Sequence, residues 1–235
     1  MEFLKSTSSN LSECPGIFEF EGPDDKKNYA KNKWKRPHLF RKISYSLNSH
    51  GYRCPEFSNI DWKNSIVTLG CSHTYGVAVD DTETYSYQLQ QKLNQPVINL
   101  GMAGWSIWHI VYTARILKPL HPNKVVVQIP NMNRFAIFQS NNDAVCLGSW
   151  RDEDRHRKFF ELYNFDDTNP KTYQEFALEY LEYLLPSICF MFSFRKGNYG
   201  KYIQPIDIGR DQEHPGPDSH SLVAETIFDH IKINK

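Results

Sequence analysis

The 235-residue sequence has no run of about 18 apolar residues, the length a helix needs to cross a bilayer. Its opening segment, MEFLKSTSSNLSECPG, also lacks the apolar stretch of roughly 7–15 residues that marks a secretory leader. The expectation is therefore a cytoplasmic protein. An excess of charge is missing too, with 27 Lys and Arg against 27 Asp and Glu. Without a net field to attract phosphate backbones or anionic lipid, neither nucleic acid nor a membrane surface is the expected partner. Cysteine is sparse: Cys14, Cys54, Cys71, Cys146 and Cys189 are scattered, odd in number and form no Cys-x-x-Cys. That pattern disfavours a disulfide framework and a zinc site, and it suits reduced thiols. Internal repeats and low-complexity tracts are absent, and the length suits one α/β domain.

What is present divides near residue 60. Residues 1–60 are rich in Ser, Asn, Lys and Pro and include the basic run KKNYAKNKWKRPHLFRK, with no sustained period of two or 3.6. They read as an irregular arm packed on the domain that follows. Asp24, Asp25 and the interspersed aromatics favour a partly packed segment over a nucleic-acid contact.

Residues 61–235 show the periodicities of a domain. SIVTLG, PVINLG and KVVVQIP are short apolar strands, separated by the helical spacing of TYSYQLQQKLN and the broad apolar face of WSIWHIVYTARILKPL. Residues 134–170 form a polar excursion with at most one short helix, near 153–164. TYQEFALEYLEYLL is a helix, and ICFMFSF is either a further strand or a continued buried helix. SHSLVAETIFDHIKI closes as an amphipathic helix, with Asp218 or Ser219 available as its cap. Apolar strands alternating with amphipathic helices predict an α/β fold with a parallel sheet covered on both faces.

Four segments carry candidate chemistry, each at a predicted strand end or just before the last helix. In Gly70-Cys71-Ser72-His73-Thr74-Tyr75-Gly76 a serine sits between strand and helix, where a tight turn exposes its hydroxyl and nearby N–H groups face a developing oxyanion. Taken alone, Gly and Ser fill such loops for conformational reasons. In Asp211-Gln212-Glu213-His214 the carboxylate reaches its neighbour's Nδ1 within one turn of chain, which leaves Nε2 free to take a proton. Asn99-Leu100-Gly101-Met102-Ala103-Gly104 and Pro130-Asn131-Met132-Asn133-Arg134 end the second and third strands. In a doubly wound sheet these ends converge on one crevice.

In this order the four segments resemble the blocks of the SGNH (GDSL) hydrolase family. GCSHTYG is similar to its first block, NLGMAGWS to its second and DQEHPG to its Asp-x-x-His block, while SLNSHGYRCPEF resembles an Asn-Ser-x-Gly-Phe-Arg lead-in seen in some members. The resemblance implies a three-layer α/β/α, flavodoxin-like parallel sheet of about four to five strands. It also implies a serine esterase or acyl hydrolase with Ser72 as nucleophile and Asp211 and His214 as the acid–base pair. The oxyanion hole would come from Ser72, Gly104 and either Asn131 or Asn133. No metal or organic cofactor is required by that chemistry. A small-molecule or carbohydrate ester, with O-acetyl as one candidate acyl group, is the implied substrate. Tyr75, Trp105 and Arg134 are candidate crevice residues.

Two departures from the family pattern stand out. Cys71 replaces the usual Asp of the first block, which also raises a thiol nucleophile as an alternative. Pro130-Asn131-Met132-Asn133 replaces Gly-x-Asn-Asp, so neither asparagine aligns without a one-residue shift. A catalytically weak or inactive binding module on the same fold is the competing reading.

Overall fold

The computed structural model describes residues 2–32, 41–139, 143–150, 154–166, 168–197 and 199–234. Much of the basic run of the arm, at 33–40, and the polar stretches 140–142 and 151–153 lie outside the described residues. The chain opens with β1 (Gly16–Phe18), α1 (Lys26–Asn32) and β2 (Tyr45–Leu47), where β1 and β2 pair antiparallel. The main domain continues through β3 (Ile66–Leu69), α2 (Ser72–Tyr75), α3 (Tyr85–Leu93), β4 (Val97–Asn99), α4 (Ile107–Leu117) and β5 (Lys124–Gln128). It is completed by β6 (Phe135–Phe138), β7 (Ala144–Leu147), α5 (Asp154–Tyr163), α6 (Thr168–Leu184), β8 (Ile188–Ser193), β9 (Lys201–Tyr202) and α7 (Pro217–Ile233).

Five strands form one parallel sheet in the order β4-β3-β5-β8-β9. Counted within the sheet this is the 2-1-3-4-5 order of doubly wound flavodoxin-like proteins. Such an order has its switch point between the first and third strands, here β3 and β5, and a crevice opens there beyond the carboxyl ends.

The sheet is buried on both faces because its strands are apolar throughout and their side chains alternate. Val67, Leu69, Ile98, Val125 and Val127 join α4 and α6 in one core cluster, while Ile66, Val97, Val126, Phe190 and Phe192 join α3 and α7 in the other. Helix α3 starts where the Thr84 hydroxyl accepts the Tyr87 N–H, and it stops at Asn94 in the left-handed region, φ 50°. Helix α7 is capped differently from the sequence expectation. Gly216 is its N-cap and Pro217 follows, while the Asp207 carboxylate from the preceding loop accepts the Asp218 and Ser219 N–H groups. A carboxylate at the positive end of the helix needs no local cap.

Segment 188–193, left open between strand and helix, is strand β8, paired with β5 and β9. The excursion holds α5 as expected. It also holds an antiparallel β6–β7 hairpin that the polar punctuation of the segment conceals. The arm is more ordered than its composition suggests: Leu4, Ile43, Tyr45, Leu47 and Tyr52 are buried in the same cluster as β3 and β5.

Two buried histidines make the fold sensitive to acid. His109 accepts the Ser106 N–H on its Nδ1, and His220 accepts the Tyr85 N–H. Burial pushes each ring down to about 3. The unfolded chain titrates histidine near 6.5, so between about 6.5 and 3 the unfolded state binds more protons and stability falls with pH. At pH 5 each ring then costs roughly 2 kcal/mol. Urea unfolding at pH 7.5 and pH 5 is expected to differ by about 4 kcal/mol from this pair. His220→Asn, which keeps an acceptor for Tyr85, should remove about half of that difference. An unchanged pH dependence of stability in His220→Asn would contradict the assignment.

Candidate active site

Ser72 stands at the switch point. Strand β3 ends at Leu69, the chain turns through Gly70 and Cys71, and Ser72 opens the single helical turn α2. This turn is held close to the sheet by the absence of side chains. A Cβ on Gly70 would meet Thr74 Oγ1 at 2.0 Å, and one on Gly101 would meet the Tyr75 backbone nitrogen at 2.4 Å. The turn ends at Gly76, whose φ of 82° suits glycine.

Cys71 points elsewhere. Its N–H and its thiol both donate to Gln128 Oε1, at 3.0 and 3.1 Å, and Gln128 Nε2 donates to the Ile129 carbonyl at 2.7 Å. The end of β5 therefore supplies the oxygen that fixes the elbow, next to a cysteine where the family pattern has a carboxylate. The thiol is buried and engaged there, and its sulfur is 3.9 Å from Ser72 Oγ. This arrangement does not favour the thiol as nucleophile.

Asp211 and His214, the candidate acid–base pair, sit on a loop closed at its base by an antiparallel bridge between Ile208 and Pro215 and by the Gly209 N–H on the His214 carbonyl at 2.7 Å. Asp211 Oδ1 accepts the Glu213 and His214 N–H groups, each at 3.1 Å. Asp211 Oδ2 lies 2.5 Å from His214 Nδ1, and His214 Nε2 lies 2.8 Å from Ser72 Oγ. Burial pushes the Asp211 carboxyl up, but the hydrogen bond and charge of His214 and the two backbone donors outweigh it and leave the group below its ordinary value. A carboxylate held ionised beside Nδ1 fixes the tautomer in which Nε2 accepts a proton.

Residues that the sequence did not assign to the site tie the two halves together. Tyr45 Oη accepts the Ala78 N–H at 2.8 Å and donates to Asp24 at 2.6 Å. Asp24 accepts from Arg210 Nε at 3.0 Å and from a terminal guanidinium nitrogen at 2.8 Å. The Arg210 N–H returns to the Ala78 carbonyl at 3.1 Å. This closed ring joins the loop just after the Ser72 turn to the residue just before Asp211. Arg53, from the lead-in segment, adds hydrogen bonds to the Tyr75 and Gly76 carbonyls at 3.1 and 2.6 Å. Its signal was the Gly51-Tyr52-Arg53 motif, whereas nothing local marks Asp24 or Tyr45.

Several candidate residues fall outside the crevice. Tyr75 is fully buried and stacks on Tyr45 at 6.4 Å, and Trp105 is buried between Tyr52 and His109. Neither is exposed to a substrate, because aromatic rings of the arm cover both. Arg134 is half-buried, donates to the Trp105 carbonyl at 3.2 Å and lies over the Trp150 ring. Gly104 has φ 81° and open space where a side chain would stand. Asn131 Oδ1 accepts the Asn133 N–H at 3.2 Å in a turn. Among the described residues no hydrogen bond joins Ser72 to Gly104, Asn131 or Asn133. His73 lies beside Ser72 with its ring 5.4 Å from that of His214. Burial first, then the charges of His214 and Arg134, hold His73 well below the usual histidine range.

The geometry defines a class of site: a hydroxyl on an imidazole, and that imidazole on a buried carboxylate. In a comparison with solved structures, the chain is similar to a protein assigned to the G-D-S-L lipolytic family from Desulfitobacterium hafniense DCB-2. The identity is 12%, the match covers 71% of this chain and 99% of that one, and the TM-score is 0.39. It is similar to a protein assigned as a GDSL-like lipase from Bacteroides ovatus ATCC 8483, with 16% identity, 73% of this chain, 55% of that chain and a TM-score of 0.40. It is also similar to the psychrotrophic esterase EstA from Pseudoalteromonas sp., at 15% identity over 73% of this chain and all of that one, with a TM-score of 0.41. No protein-family model and no curated protein matches the sequence.

Proposed function

We propose that this chain is a serine esterase that cleaves small acyl esters, with Ser72 as nucleophile, His214 as general base and acid, and Asp211 as the carboxylate that orients it. The observation that carries the reading is the hydrogen-bonded chain from Asp211 through His214 to Ser72, formed by residues 142 positions apart at the switch point of the sheet. His214 Nε2 takes the Ser72 proton as Oγ attacks the ester carbonyl, and the same proton passes to the departing alcohol oxygen. Water then reverses the sequence, giving its proton to Nε2 and releasing the acid from Ser72. In this reading the oxyanion is held by the Ser72 and Gly104 amides and by the side chain of Asn131 or Asn133. An O-acetyl group on a carbohydrate is the finer form of the proposal.

The test is direct. A fluorophosphonate is expected to label the protein at Ser72, and p-nitrophenyl acetate is expected to be hydrolysed. Ser72→Ala should lose both while unfolding at an unchanged temperature. Retention of either signal in that variant, or silence of the native protein in both assays, would reject the proposal. Iodoacetamide should leave turnover intact.

A further inference from the structure

The carboxyl end of the sheet, where Ser72 stands, also gathers cations that have no ion-pair partner among the described residues. Strands β5 and β8 are in register at Gln128 and Phe192, so three residues further on Asn131 and Arg195 emerge side by side. Between these loops lies a cavity of about 380 Å³ lined by Asn131, Met132, Asn133, Arg195, Lys196 and Gly197. Arg195 and Lys196 are exposed, and among the described residues neither has a carboxylate within ion-pair distance. Arg134, on the same loop as the asparagines, has none either. Its Nε is buried with no hydrogen-bond partner, and its guanidinium is pinned by the Trp105 carbonyl and the Trp150 ring. Asn133 Oδ1 is likewise buried without a partner.

The loop that carries Arg195 is linked to the Ser72–His214 pair through His73. That ring packs edge-on against Phe194, the residue before Arg195, with 5.1 Å between centroids, and its centroid lies 5.4 Å from that of the His214 ring. After burial and the His214 ring, the charges of Arg134 and Arg195 are among those that hold the His73 ring below the usual histidine range. Three cations without an ion-pair partner among the described residues, in a protein whose formal charge is zero, create a local field suited to an anion. Arginine forks and amide groups are the donor set that binds carboxylates.

We infer that the ester this site takes is anionic, and that Arg195 and Lys196, with Arg134 behind them, hold a carboxylate-type group of the substrate in the cavity beside Ser72. The inference rests on the esterase reading for its reaction, but its binding component can be tested without turnover.

Matched pairs of esters read it out: p-nitrophenyl hemisuccinate against p-nitrophenyl butyrate places the charge on the acyl side, and 4-acetoxybenzoate against its methyl ester places it on the alcohol side. One anionic member is expected to exceed its neutral partner in kcat/KM by at least about tenfold, mainly through KM, with the advantage shrinking in high salt. In Arg195→Gln/Lys196→Gln that ratio should fall towards one. Independently, calorimetry on Ser72→Ala should show monomethyl succinate or 4-acetoxybenzoate binding about tenfold more tightly than its dimethyl or methyl ester counterpart, with the difference lost in the charge-removal variant. Equal binding of charged and neutral members overturns the inference. Silence of the native protein towards all four esters with the binding difference intact would reject the esterase reading and leave the anion site standing.

Discussion

Asp211→Asn is expected to lower kcat by about four orders of magnitude while leaving the fold intact. The asparagine oxygen can still accept the Glu213 and His214 N–H groups that Asp211 Oδ1 accepts at 3.1 Å, so the loop keeps its shape. Its amide nitrogen then faces His214 Nδ1 as a donor. The imidazole must answer with the tautomer that carries its proton on Nε2, and that nitrogen cannot take the Ser72 proton. The loss should appear in kcat rather than KM, since no substrate contact is removed. Circular dichroism and the melting temperature check the fold, and p-nitrophenyl acetate turnover checks the rate. A variant with near-native kcat would show that the carboxylate does not orient the base.

The second large effect concerns stability. Asp24 and Arg210 form an ion pair whose side chains are 2% and 1% exposed. Burial pushes the Asp24 carboxyl up by more than the hydrogen bonds of Arg210 and Tyr45 pull it down. The folded protein therefore holds the proton more readily than the unfolded chain, and this group's contribution to stability increases as pH falls through the window above the ordinary carboxyl value. The pair is consequently not a net source of stability near neutral pH, yet each member depends on the other. Asp24→Ala leaves the Arg210 charge buried and unpaired, which costs about 3–5 kcal/mol and lowers Tm by on the order of 10 °C. The double variant Asp24→Leu/Arg210→Met should recover most of that loss. A double variant as unstable as the single one would show that the hydrogen-bonded ring, and not the stranded charge, is what the fold requires.

The residues proposed to react were legible because each lies in a short block at a predictable place. Ser72 follows an apolar strand, and Asp211 and His214 are three residues apart just before a helix. The parallel sheet was legible for the same reason, since strands buried on both faces must be apolar throughout. Tyr75 and Trp105 were misplaced because what buries them comes from far away in the sequence. Tyr45 stacks on the first and Tyr52 packs edge-on against the second, and both belong to a segment whose composition reads as irregular. Periodicity detects elements that face a core along their whole length; an arm that contributes single aromatic side chains leaves no such trace. Gln128 was hidden in another way, as the polar last residue of an apolar strand that gave no sign of accepting the Cys71 N–H and thiol.

The loop from Ile208 to Pro215 has one further consequence. Because it carries both Asp211 and His214 and is tied across its own base, the geometry between the two groups is set within one loop. The three side chains proposed to react thus reduce to two structural units, and their alignment has essentially a single coordinate, the gap between that loop and the serine turn. Anything that widens the gap idles the oriented imidazole without disturbing its tautomer, so one displacement would be enough to switch the chemistry off reversibly.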